Sequence, residues 1–273
     1  MGLFKPAWQS DNQEKALRAV EKETDQIKLA VIANNAPLDN VRVAAVNKLT
    51  NQTVLAEMAK HEKNEWIYVA AVKILTDQAT LAYVAKNRNS SYERKVAVQK
   101  LSNQRILAEI AQNDNDYDVQ KTAFGNITNQ YFLEEIARNT GCFLRNSAVE
   151  QLKNQEILID IARNDKNDDI RIDAAIRLTD KSIAQSVYAD IVNNGKDVYC
   201  RAGAIQALTD KEMLMEIASS DSKEKYSVEM NVIVDFDESM GDKYATRNVD
   251  LREKAHNRIM QLNELEHIQK NNR

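Results

Sequence analysis

Two sets of residues in this 273-residue chain place charge or aromatic surface at regular spacing. The first is a column of arginines, Arg42, Arg94, Arg145, Arg171, Arg201 and Arg252, interrupted by Tyr68 and Gln120. A ladder of guanidinium groups could bind a row of phosphates. The second set joins Lys73, Lys95, Gln99, Lys100 and Lys121 with Trp66, Tyr68 and Tyr92. Basic groups interleaved with aromatic rings suit an acidic peptide or a single strand of nucleic acid, through charge and stacking. The plain alternative for any run of charge is a solvated helical face.

Residues for catalysis are sparse. His61, His256 and His267 stand at unrelated positions, and His61-Glu62 is a single dipeptide. Neither a glycine-rich phosphate loop nor a nucleophile motif occurs, and no carboxylate pair stands out among the many acids. The expectation is a protein that is not an enzyme and takes no cofactor or metal. Net charge is −4, too mild for a dedicated polyanion binder.

What positions these residues is a repeat. Six segments open with Thr/Ser/Lys-Asp/Asn-Gln and run on into Leu-x-x-Ile/Val/Met-Ala, starting at Thr24, Thr50, Thr76, Ser102, Thr128 and Lys153. The offset is 26 residues with one step of 25, and looser copies start at Thr179 and Thr209. A fixed period of this size means one supersecondary unit stacked on itself. With Gly 6 and Pro 2 in the whole chain, short-looped helices fit far better than a turn-rich sheet.

In the first copy, Thr24 can cap a helix A over about Asp25 to Asn34, with Leu29, Ile32 and Ala33 forming an i, i+3, i+4 stripe. Pro37 stops it. Asp39 or Asn40 can cap a helix B over about Val41 to Leu49, with Val41, Ala45, Val46 and Leu49 on one face. The helix A leucine returns at Leu55, Leu81, Leu107, Leu133, Leu158 and Leu214. The helix B alanine returns at Ala71, Ala97, Ala123, Ala148, Ala174, Ala204 and Ala255. An alanine in every copy implies close backbone approach, and helices of about ten residues must bury their stripes on neighbours to be stable.

The Leu-x-x-Ile-Ala column of helix A and the Arg-x-x-Ala column of helix B resemble the short HEAT-like repeats of bacterial proteins, over about Thr24–Ile259. The period also comes near the leucine-rich repeat variant, in which one helix pairs with a 3₁₀ turn, but ten helix-compatible residues in helix A favour two α-helices. The resemblance implies an all-α solenoid of about eight helical hairpins that serves as an interaction scaffold, with a protein or peptide on a concave helix-B face. A HEAT-like nucleic-acid binder, using the basic and aromatic wall of repeats two to four, is the alternative. It also implies that the arginine column pairs with an acid or carbonyl of the next repeat. Asp39, Asp168 and Asp250 sit where such partners would lie. The glutamine column, Gln26, Gln52, Gln78, Gln104, Gln130 and Gln155, reads as inter-repeat hydrogen bonding.

The expected organisation is a single solenoid domain over 1–273. It comprises a capping helix in 1–23 with Phe4 and Trp8 over its open face, repeats one to seven in 24–208, repeat eight in 209–259 and a polar tail in 260–273. Repeat seven is four residues longer than the rest. Repeat eight is interrupted by an insertion around 219–248, in which Tyr226, Val228, Met230, Val232, Val234 and Phe236 alternate with polar residues. Alternation is a strand signal, so a short β-hairpin near 222–246 or an acidic loop is expected there. Cys142 and Cys200 have no disulfide or zinc spacing, which suits a reducing, cytoplasmic setting. No secretory signal and no membrane association are expected, since no stretch approaches about 20 apolar residues.

Overall fold

The computed structural model describes residues 5–220, 227–237 and 241–271, with backbone alone for 227–237 and 241–249. The chain clusters into two compact units, residues 1–144 and 145–273. Each is a stack of paired helices. Unit one opens with a 3₁₀ turn at Ala7–Gln9 and α1 (Gln13–Lys22). The pairs α2 (Gln26–Asn35) and α3 (Asp39–Val46), α4 (Gln52–His61) and α5 (Glu65–Ile74), α6 (Gln78–Asn87) and α7 (Ser91–Val98), α8 (Gln104–Asn113) and α9 (Tyr117–Gly125) follow. It closes with α10 (Gln130–Arg138).

Unit two holds α11 (Arg145–Gln151), α12 (Gln155–Asn164) with α13 (Asp168–Ile176), α14 (Lys181–Asn194) with α15 (Val198–Ala207), and α16 (Lys211–Ser219) with α17 (Leu251–Asn271). Strands β1 (Ser227–Asp237) and β2 (Gly241–Asp250) lie between α16 and α17. They pair antiparallel, from Ser227 opposite Asp250 to Asp237 opposite Gly241, with an irregularity between Ile233 and Asp235. Phe4 and Tyr226 lie outside the described residues. So does the alternation of side chains along 228–236.

Within each unit the second helix of a pair packs on its partner and on the second helices of the neighbouring pairs, α3 on α5, α5 on α7 and α7 on α9, then α11 on α13 and α13 on α15. The columns read from sequence form these contacts. Ala45, Ala71, Ala97 and Ala123 in unit one, and Ala148, Ala174, Ala204 and Ala255 in unit two, are completely buried. The helix A leucines are buried with them. In α14 the leucine's place is taken by the buried Tyr188, because the four additional residues of repeat seven extend this helix at its N-terminus by one turn.

The conserved-looking Asp/Asn of each copy, not the Thr before it, caps helix A. Asp25 Oδ1 accepts from the Ile27 N–H at 2.8 Å, and Asn51, Asp77 and Asn103 do the same for α4, α6 and α8. Thr24 is therefore not the cap. The Thr or Ser of later copies receives the glutamine instead. Gln26 Oε1 accepts from the Thr50 N–H at 2.8 Å and from its hydroxyl, while Gln26 Nε2 donates to the Lys48 carbonyl at 3.1 Å. Gln78 repeats this on Ser102 and Lys100, and Gln104 on Thr128 and Asn126. In unit two Gln155 holds Thr179, and Gln185, displaced by the additional turn of α14, holds Thr209. Each of these glutamines thus ties the start of one hairpin to the junction with the next.

The helix expected to end near Ile259 continues to Asn271, so 260–271 is helical and not a tail. Contacts with the end of α15 and with its own partner α16 hold the extended helix. Arg258 Nε donates to the Leu208 carbonyl at 3.0 Å, and Lys211 Nζ lies 2.8 Å from both Asn263 Oδ1 and Glu266 Oε1.

Two stability outcomes follow from these columns. Ala123→Leu forces a larger side chain into a closed helix–helix contact and should cost about 1–3 kcal/mol in urea unfolding. Gln78→Glu keeps the size and the acceptor for Ser102 but sets a carboxylate oxygen against the Lys100 carbonyl. It should cost about 1–3 kcal/mol, and a cost near zero would remove the glutamine from the forces that join hairpins.

Candidate functional site

The arginine column turns inward to the stack. Arg42 Nε donates to the Ala33 carbonyl at 2.8 Å, and its Nη2 reaches the Glu62 carboxylate at the end of the next helix A. Arg94 grips both oxygens of Asp114 at 2.8 Å, which holds its charged form more firmly. Arg145 pairs with Asp165. Arg171 donates to the Ala162 carbonyl and to Asp168, each at 3.0 Å, and pairs with Asp190. Arg201 donates to the Val192 carbonyl at 2.9 Å, and Arg252 to both oxygens of Asp250. The row of phosphate-binding guanidinium groups raised by the sequence is thus occupied by carboxylates and helix-end carbonyls. Asp39, Asp168 and Asp250 do lie near their arginines, but within the same hairpin. The acids of the next hairpin are Glu62, Asp114, Asp165 and Asp190.

The two breaks in the column are filled by other chemistry. Tyr68 is fully buried, and its hydroxyl donates to the Glu93 carbonyl. Burial first, then the Glu93 charge, pushes its pKa upward. The Arg88 guanidinium lies 4.8 Å from the ring centroid and donates to the Glu93 carboxylate and to the Lys60 and Glu62 carbonyls. Gln120 Nε2 donates to the Asp114 carbonyl at 2.7 Å. Tyr68 therefore does not belong to a partner-facing set. An aromatic ring at the arginine position stacks under a cation supplied by the next hairpin.

Lys100 is also removed from that set. Its ammonium donates to the carbonyls of Val72 at 2.9 Å, Leu75 at 2.7 Å and Lys73, closing the C-terminal end of α5. Partial burial lowers its pKa. Lys48 does the same for α1 through the Val20 and Glu21 carbonyls.

The remaining expected residues stay at the surface. Trp66 is 74% exposed and Tyr92 50% exposed. With Lys73 they line a groove of about 670 Å³ between α3, α5 and α7, together with Asn40, Val43, Asn47 and Val69. Lys95, half-buried on α7, lies 3.3 Å from the exposed Asp118 on α9. Gln99 and Lys121 are exposed on α7's C-cap and on α9. The groove floor is apolar, its rim carries two carboxamides, the Asp39 carboxylate and the Lys73 ammonium, and its walls are helices joined by buried contacts.

The α3 side of the groove was not read from sequence, nor was the full extent of the aromatic column. Two positions before each residue of the arginine column stand Asn40, Trp66, Tyr92, Asp118 and Phe143 in unit one, then Asp169, Tyr199 and Asp250 in unit two. Phe143 is 86% exposed and Tyr199 51% exposed. Aligning the chain on its arginines exposes this column, whereas searching each helix separately for charge does not.

Two groups with possible reactivity are held inert or aside. Cys200 is buried, its thiol donates to Asp169 Oδ1 at 3.1 Å, and burial followed by that carboxylate pushes its pKa up to about 12. A thiol held this far from ionisation is a poor nucleophile near neutral pH. His61 lies 3.6 Å from Glu57 on its own helix, apart from Glu62, which belongs to the Arg42 clamp. Among the described residues no helix is long and apolar enough to cross a membrane.

These placements separate two lysines that look alike in sequence. Lys100→Ala leaves three helix-end carbonyls without their donor and should cost about 1–3 kcal/mol. Lys121→Ala should stay within about 0.5 kcal/mol of the parent. Paired urea titrations measure both, and equal effects would contradict the capping role of Lys100.

Compared with known proteins, the chain matches no family model, no curated protein sequence and no solved structure.

Proposed function

We propose that this chain is a non-catalytic HEAT-like solenoid, an interaction scaffold of a reducing, cytoplasmic compartment that holds a protein or peptide partner on the helix-B wall of its first unit. The observation that carries the reading is the pair Trp66 and Tyr92, exposed side by side on consecutive second helices around one groove. Aromatic residues dominate the energetics of protein contacts, and rigid elements present them with little ordering cost. The use of the arginine ladder and Lys100 within the stack weighs against nucleic acid, since their donors are already taken by carboxylates and helix-end carbonyls.

Replacing Trp66, Tyr92 and Lys95 together by alanine should abolish partner capture, read by affinity purification and mass spectrometry, while the melting temperature stays nearly unchanged. Deleting residues 222–243 should leave capture intact. Capture that survives the triple substitution and disappears with the deletion would move the function to the insertion. Binding to DNA or RNA that falls steeply with salt, as counterion release requires, would support the nucleic-acid alternative instead.

A further inference from the structure

The chemistry of the partner can be narrowed from the spacing of the wall, an inference that rests on the helix-B wall being the binding surface. Trp66 and Tyr92 occupy the same position on α5 and α7, which pack directly on one another. Helices packed in this way lie about 8–10 Å apart, so the backbone positions that carry the two rings recur at roughly that interval. An extended β-strand presents one face every two residues, about 6.6 Å, and stacked bases recur at about 3.4 Å; neither matches. A polyproline II segment has three residues per turn and rises about 3.1 Å per residue, so it presents one face every ~9.3 Å. That is one ligand turn per helical hairpin.

The groove has the other features such a segment needs. Polyproline II makes no internal hydrogen bonds, so its carbonyls remain available to outside donors. Asn40 and Asn47, exposed on the α3 side of the groove, offer carboxamides for them. Charge sets the composition. Lys95 follows Tyr92 by three residues and Lys73 follows Trp66 by seven, so both stand on the same helical face as the rings, one and two turns toward the C-terminal ends. Lys121 continues the lysine row on α9. Among the described residues Lys73 and Lys121 have no carboxylate partner, and the partner of Lys95 is an exposed aspartate. Asp39, the acid of the groove, stands at the start of α3, where it accepts from the Asn64 amide at 2.6 Å and its charge is balanced by Arg42 at 3.9 Å.

We propose that the groove between α3, α5 and α7 binds an acidic, proline-rich segment in the polyproline II conformation. Successive prolines lie on Trp66 and Tyr92, and the carboxylates that follow them face Lys73 and Lys95.

The probe is a fluorescein-labelled peptide of four Pro-Glu-Ser triplets, titrated with the full chain and read by fluorescence anisotropy. A Kd on the order of 100 µM is expected for a groove of this size. Trp66→Ala with Tyr92→Ala should weaken it by about tenfold or more, the loss expected of aromatic anchors, whereas Trp66→Phe should retain most of it. Circular dichroism melts verify that these exposed substitutions leave the fold intact. Pro-Lys-Ser triplets should not bind, and a peptide of the same composition arranged in blocks of Pro, Glu and Ser should bind much more weakly. Equal binding of the block peptide, binding indifferent to the ring substitutions, or no binding of the triplet peptide at about tenfold above that Kd would each overturn the proposal. If partner capture still depends on Trp66, Tyr92 and Lys95 in that case, the wall remains the site and only the ligand chemistry falls. Tighter, salt-sensitive binding of an oligothymidylate would overturn both.

Discussion

Short helices are mostly ends. The first four N–H groups and the last four carbonyls of any α-helix lack partners within it, so a helix of ten residues has few groups that it satisfies alone. Most helices among the described residues are eight to ten residues long. Asp and Asn caps serve the N-terminal ends of the first helices, from Asp25 in α2 to Asp210 in α16. The C-terminal carbonyls are served by long side chains from other helices: Arg42 on Ala33, Arg171 on Ala162, Arg201 on Val192, and Lys100 on the end of α5. The donors that complete one helix come from a partner or neighbouring hairpin, so finishing the helices and stacking the hairpins are one set of bonds. The buried leucines and alanines add the apolar contact, which holds the stack but carries no directional information.

The breaks in the pattern show that each position is constrained by its role and not by its residue type. Where α5 has Tyr68 in place of arginine, the residue twenty positions on is Arg88 in place of an acid, and cation and ring meet. Where α9 has Gln120, the neutral side chain reaches a carbonyl instead of a carboxylate, and Asn139 replaces the acid, donating to Gln112 at 2.8 Å. In repeat seven the position of the acid is Gly195. A Cβ there would lie 2.4 Å from the Ile191 carbonyl and 3.2 Å from Arg201, so the backbone is crowded against the arginine stem. Arg171 is supplied by Asp190 from within α14. Charge is matched locally in each case, which limits the cost of burying an arginine whose partner would otherwise be missing.

The paired helices, their apolar columns and the glutamine contacts were legible because they recur with the period, and repetition averages out local ambiguity. What was not legible depends on side-chain direction. Tyr68 and Trp66 are two residues apart on one helix, yet one is fully buried and the other 74% exposed. Lys73 and Lys100 stand one position apart in the repeat, and only the Lys100 position, shared with Lys48, Asn126 and Arg177, reaches a neighbouring helix end. The arginine partners had a signal that was available and unread: the acid lies twenty residues after Arg42, Arg94 and Arg145, a separation that spans one repeat less the distance back to the end of helix A. The continuation of α17 had no local signal beyond helix-compatible composition. It is held by Lys211, more than fifty residues earlier.

The same bonds decide where a partner could dock. One edge of the stack is committed to arginine pairs, the other to glutamine and lysine contacts with helix ends, and removing any of these side chains acts first on the fold. The outward face of the second helices carries no such duty. Val43, Val69, Trp66 and Tyr92 could be polar there without loss to any buried contact, and in other hairpins they are: Asp118 stands at the position of Tyr92, and Lys95 at that of Val69. A stack that needs nothing from this face nevertheless places two large rings on it, over an apolar floor and next to the Lys73 ammonium. Single exposed rings are common on this chain, Phe143 and Tyr131 among them, so it is the adjacency of two rings around one groove that supports the proposal of a partner there.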